Sequence, residues 1–99
     1  MIIINIKALI DKDNKLEGLE TKVFDTNTDE ILRETQLIIG DHVLIDPLNP
    51  TKMKNRDRTG RIVGYYLNDL GNAETVKVKF DDTKRAGKIE PEELIPYII

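Results

Sequence analysis

The stretch IIGDHVLIDP (residues 38–47) and its sequel RTGRIVGYY (residues 58–66) decide how the chain is read. In the first, Val43 and Ile45 alternate with His42 and Leu44, the period-two pattern of a strand. The following PLNP ends it, because proline has no N–H for an interior ladder. In the second, Ile62, Gly64 and Tyr66 share one parity, which places them on one strand face and points Tyr65 and Tyr66 to opposite faces. One tyrosine of the two is therefore expected at the surface. Gly60, between Thr59 and Arg61, suits a turn or bulge where the chain re-enters the sheet.

Working outward, TVKVKF (75–80) alternates without a fault: Val76, Val78 and Phe80 point one way, Thr75, Lys77 and Lys79 the other. A short strand follows at KI (88–89), EPEEL (90–94) forms one tight helical turn, and IPYII (95–99) supplies a last short strand. Upstream, MIIINIKALI puts Ile2, Ile4, Ile6, Ala8 and Ile10 on a dry face and Ile3, Asn5, Lys7 and Leu9 on a mixed one. After the turn DKDNK, a second strand falls around residues 21–25. DTNTDEILRE admits two readings: a polar turn between strands, or a helix capped by Asn27 with Glu30 three residues on. The hairpin is preferred, because TQLII does not sustain a helical stripe.

At 99 residues the chain has the length of one domain. With 39% hydrophobic and 33% charged residues it belongs to the globular class rather than the disordered one. It has no cysteine, which removes disulfides and thiolate chemistry and fits a reducing, cytoplasmic setting. The apolar opening is too short for a membrane span and is interrupted by Asn5 and Lys7, so it reads as a strand and no membrane partner is expected. Net charge is −3. The first forty residues hold five bases against eight acids, and the remainder ten of each.

GDHVLI (40–45), RTGRIVG (58–64), VKVKFDD (76–82) and IEPEELIP (89–96) together resemble the SH3-like barrels of the KOW and Tudor type. In that family a Gly-Asp pair opens the first strand, a second strand follows an irregular loop, a third carries an acidic turn, and a short helical turn leads to the closing strand. The resemblance covers about residues 38–98 and implies a small SH3-like barrel there; the expected protein is all-β, with the barrel over residues 38–99 and residues 1–37 as an N-terminal β extension packed on it, its strands either continuing the barrel's sheet or forming a small second sheet against it. Such barrels bind nucleic acids, ribosomes, polymerases, peptides or methylated tails, so the fold narrows function little.

Catalysis finds no support in the pattern. The single histidine, His42, reads as an exposed strand residue with no second His or Cys for a metal. There is no serine for a triad. Asp25, Asn27 and Asp29 sit at calcium-loop spacing, but Glu30 stands where glycine is needed and Gln36 where the bidentate Glu belongs. No enzyme, cofactor or metal is expected.

The informative polar feature is TKMKNRDRTGR (51–61). Lys52, Lys54, Arg56 and Arg58 fall at every second residue, and Arg61 follows. In an extended segment these would form a row with about 6.6 Å between neighbours, able to track a phosphate backbone; in an irregular loop they would be solvated charges. Lys84, Arg85 and Lys88 form a second cluster, diluted by Asp81 and Asp82. The leading expectation is a non-enzymatic module that contacts RNA, DNA or a ribonucleoprotein through Lys52, Lys54, Arg56, Arg58 and Arg61, with Tyr65 as a stacking platform. The alternative is a protein-interaction or self-associating adaptor that docks through its apolar N-terminal strand or the C-terminal LIPYII.

Overall fold

The computed structural model describes residues 2–97. It is all-β, with no α-helix among those residues. Strands β1 (Ile2–Ile10), β2 (Leu16–Asp25) and β3 (Glu30–Ile38) form an antiparallel meander in the order β1-β2-β3. Strands β4 (His42–Ile45), β5 (Thr59–Leu67), β6 (Ala73–Phe80), β7 (Ala86–Ile89) and β8 (Leu94–Pro96) form a second antiparallel sheet in the order β7-β6-β5-β4-β8, with a 3-10 turn at Pro91–Glu93 before β8. Neither sheet closes on itself, and of the two arrangements expected for the N-terminal strands, the separate small sheet packed against the second is the one formed. The strand expected over residues 95–99 is β8, displaced toward Leu94; Ile98 and Ile99 lie outside the described residues.

The turns follow from their side chains. Asp11 Oδ1 accepts from the amides of Asp13 and Lys15 at 2.9 Å, and Asn14 takes a left-handed φ of 62° to close the β1–β2 hairpin. At the ambiguous DTNTD, Asp25 Oδ1 accepts from the amide of Asn27 at 2.8 Å while Asp29 turns at φ 57°. An Asx-type turn therefore wins over the helix, because Asp25 rather than Asn27 satisfies the free amides.

The two sheets share one core. Leu19 and Leu37 of the first pack with Val43, Ile45, Ile62, Val76, Val78, Ile89 and Leu94 of the second, all fully or almost fully buried. Each such aliphatic side chain contributes about 1.5–3 kcal/mol of burial free energy. Thr21, buried on the same face of β2, is satisfied by the Thr35 hydroxyl at 2.7 Å. Arg33 of β3 joins the sheets by donating to the carbonyls of Asp46 (2.7 Å) and Glu92 (2.8 Å).

Three expectations need correction. β1 has no dry face: none of its residues is buried, because the second sheet packs over β2 and β3 and leaves β1 at the margin. Gly60 is neither turn nor bulge. It lies inside β5 between Val43 and Phe80, where an added Cβ would stand 2.5 Å from the Lys79 carbonyl oxygen. The bulge comes later, between Ile62 and Gly64, and it breaks the shared parity of Ile62 with Gly64 and Tyr66. Ile62 faces the core, whereas Gly64 pairs with Lys77 and Tyr66 with Thr75.

Candidate nucleic-acid interface

The β4–β5 loop is a series of turns, with Asn55 (φ 62°) and Asp57 (φ 68°) in left-handed conformations. Alternate side chains consequently do not share a face. Arg56 folds back, donating to the carbonyls of Pro47 (3.1 Å) and Asn49 (2.7 Å) and pairing with Asp46 at 3.3 Å. Lys52 pairs with Glu93, and that hydrogen bond raises the lysine pKa above its ordinary value. Arg58 bridges Asn55 and Asp82 at 2.7 and 2.8 Å and lies over the Phe80 ring, 3.8 Å from its centroid. Arg61, exposed on β5, donates to the Gly40 carbonyl at 3.1 Å. Lys54 alone of the five projects with neither hydrogen bond nor ion pair among the described residues. The cations at 52, 56 and 58 are thus engaged in holding the loop to the sheet.

Tyr65 points inward after the bulge, and its hydroxyl donates to the Leu37 carbonyl at 2.6 Å. Burial, assisted by the nearby Asp41 carboxylate, pushes its pKa up to about 12. The exposed aromatic of the pair is Tyr66.

Around Tyr66 the second sheet gathers four cations: Arg61, which the loop-centred expectation included, Lys88 of the second cluster, and Lys77 and Lys79, which neither included. Antiparallel partners point to the same face, and the register sets Arg61 opposite Lys79 and Lys77 opposite Lys88. Lys77 and Lys79, two residues apart, share that face. All four are exposed, and Lys77, Lys79 and Lys88 have no ion-pair partner among the described residues. The Lys88 ammonium stands over the Tyr66 ring, 5.6 Å from its centroid. No acidic side chain occupies the strand positions between them. Directly opposed like charges destabilise a sheet, and here two such pairs stand side by side. At the end of this face, Arg61, Lys79 and Lys84 line a hollow of about 320 Å³ with Phe80 and Asp81.

Asp81 is already occupied: its Oδ2 accepts from Thr59 Oγ1 and lies 2.6 Å from His42 Nε2. Those two hydrogen bonds, Thr59 first, hold its carboxyl below the usual carboxylate range. His42 is therefore not an exposed strand residue; its side chain is 11% exposed and stacks edge-on against Tyr97. Among the described residues no group of three or more His, Asp or Glu could hold a metal ion, and no helix is long and apolar enough to cross a membrane.

The sequence carried part of this site: Arg61 of the basic stretch, Lys88 of the second cluster, and the exposed parity of KVK in β6. The opposition of Lys77 to Lys88 depends on the β6–β7 register and cannot be read from spacing. Comparison with protein-family models, curated proteins and solved structures finds no match to this chain.

Proposed function

We propose that the chain is a non-enzymatic binding module that holds a single-stranded nucleic acid across the outer face of β5, β6 and β7. The observation that carries this reading is the pair of opposed like charges, Arg61 with Lys79 and Lys77 with Lys88, left without anionic partners. A polyanionic strand relieves that repulsion by bridging the cations and releasing its own counterions. Neighbouring cations stand about 5–7 Å apart along and across the strands, and Tyr66 beside them offers a face for one base. Recognition of this kind is electrostatic and poor in sequence preference.

An SH3-like identity for the second sheet is supported by its order of parts. Gly40 and Asp41 precede β4, an irregular loop leads to β5, the acidic Asp81 and Asp82 follow β6, and a 3-10 turn precedes the closing strand, which pairs with β4.

Fluorescence anisotropy of a short labelled single strand, titrated across a salt series, tests the function. With four phosphates neutralised, the slope of log affinity against log salt is about −2.8. The triple substitution Lys77→Gln, Lys79→Gln and Lys88→Gln abolishes binding while Lys54→Gln leaves it nearly intact. Absence of binding at low salt, or binding indifferent to the triple substitution, overturns the reading. Binding only to an acidic polypeptide would reassign the same face to a protein partner.

A further inference from the structure

We infer that two copies of this chain associate through their β1 strands, pairing antiparallel about a two-fold axis at Ile6 to give one six-stranded sheet. The inference is independent of the nucleic-acid reading, since it uses the other sheet. Among the described residues β1 is hydrogen-bonded to β2 alone, so one edge of its nine residues is open there. That edge lacks the usual safeguards: it has no proline and a single charge, Lys7. Ile2, Ile6 and Ile10 are 56%, 39% and 50% exposed and share a face with Ile4 and Ala8. The second sheet leaves this face standing over two open grooves, one against Leu67 and Ala73, the other against Pro47 and Leu48. The other edges are guarded. β8 is three residues long and ends in proline, β7 is four residues long and carries Lys88, and β3 bears Glu30, Arg33 and Glu34.

A second copy fits because the strand is complementary to itself in one register. Centred on Ile6, the pairing sets Ile2 against Ile10, Ile4 against Ala8, Ile3 against Leu9, and Asn5 against Lys7, using all nine residues. The apolar faces join into one strip. On the opposite face the charges alternate: Glu34, Lys22 and Asn5 of one copy continue into Lys7 and Glu20 of the other, so each lysine meets amide or carboxylate. Neighbouring registers are worse. A slip of one residue turns the two apolar faces to opposite sides. A slip of two residues one way opposes Lys7 to its own counterpart, and the other way leaves Leu9 and Ile10 without partners.

Sedimentation velocity of the whole chain over a concentration series shows a monomer–dimer equilibrium. Ile6→Lys places two ammonium groups face to face at the axis and removes the dimer; the exposed position keeps the fold, which circular dichroism checks. Since the chain has no cysteine, introduced thiols report the register. Paired residues in an antiparallel sheet have Cα separations of about 4.5–5.5 Å, within disulfide range. Under mild oxidation Ile6→Cys cross-links to itself, and Ile2→Cys cross-links with Ile10→Cys in a mixture, whereas either of the latter alone does not. A wild-type chain that sediments as a monomer at every concentration, a dimer that survives Ile6→Lys, or cross-linking of Ile2→Cys with itself overturns the inference.

Discussion

Tyr65 and Tyr66 differ by one position and by everything that matters to their use. The bulge before Gly64 turns Tyr65 into the seam between the sheets, where its hydroxyl holds the Leu37 carbonyl, and leaves Tyr66 outside beneath Lys88. Alternation in YY showed that one ring would be exposed; an extra residue in β5, invisible to a period-two reading, chose which one. Burial raises the Tyr65 pKa from about 10 to about 12, so the neutral ring is the form that the fold prefers. Its contribution to stability is complete below pH 10, where both states are protonated. Between pH 10 and 12 it is lost, because the unfolded tyrosine sheds its proton first. Denaturation midpoints measured across that interval fall less steeply in Tyr65→Phe than in the wild type, and difference absorbance shows the latest-titrating tyrosinate missing from the variant.

At the scale of elements, the β4–β5 loop shows how a basic stretch serves structure. Its alternating cations suggested a row, but alternation places side chains on one face only in extended chain, and left-handed Asn55 and Asp57 break that condition. Arg56 instead donates to three backbone carbonyls, those of Pro47, Asn49 and Lys52, and pairs with Asp46. Arg56→Ala lowers stability by about 1.5–3 kcal/mol, the scale of a hydrogen bond to a charged group, as urea denaturation would measure. If the proposed nucleic-acid face on β5–β7 holds, Arg56→Ala leaves its affinity in anisotropy titrations within about twofold of wild type, because that face does not include Arg56. Lys54→Gln changes stability by less than about 0.5 kcal/mol, as expected of a solvated surface charge. The β6 pattern, by contrast, was legible over five of its six residues: Val76, Val78 and Phe80 are buried and Lys77 and Lys79 exposed, while Thr75, expected outward with the lysines, is buried.

For the whole molecule, the junction of the two sheets governs cooperativity. Arg33 spans it with a side chain only 12% exposed, bonded to the Asp46 and Glu92 carbonyls at one end of the second sheet's β4–β8 pair. Arg33→Ala leaves both carbonyls unpaired and lowers stability by about 3 kcal/mol. Hydrogen exchange should then show amides of β2 and β3 losing protection ahead of those of β5 and β6; equal loss everywhere would mean that the shared apolar core, not Arg33, couples the sheets. The sequence by itself determined the all-β class, the strands of the second sheet and the β2–β3 hairpin, because alternation and turn chemistry are local and act over a few residues. Only the tertiary structure decided that the strands divide into two sheets, that β1 keeps four of its five isoleucines exposed, and that Lys77 meets Lys88 while Arg56 and Arg58 fold back on the loop and sheet. Those outcomes depend on register, on one bulge and on which strand the second sheet covers, and they are set by contacts between residues far apart in the chain.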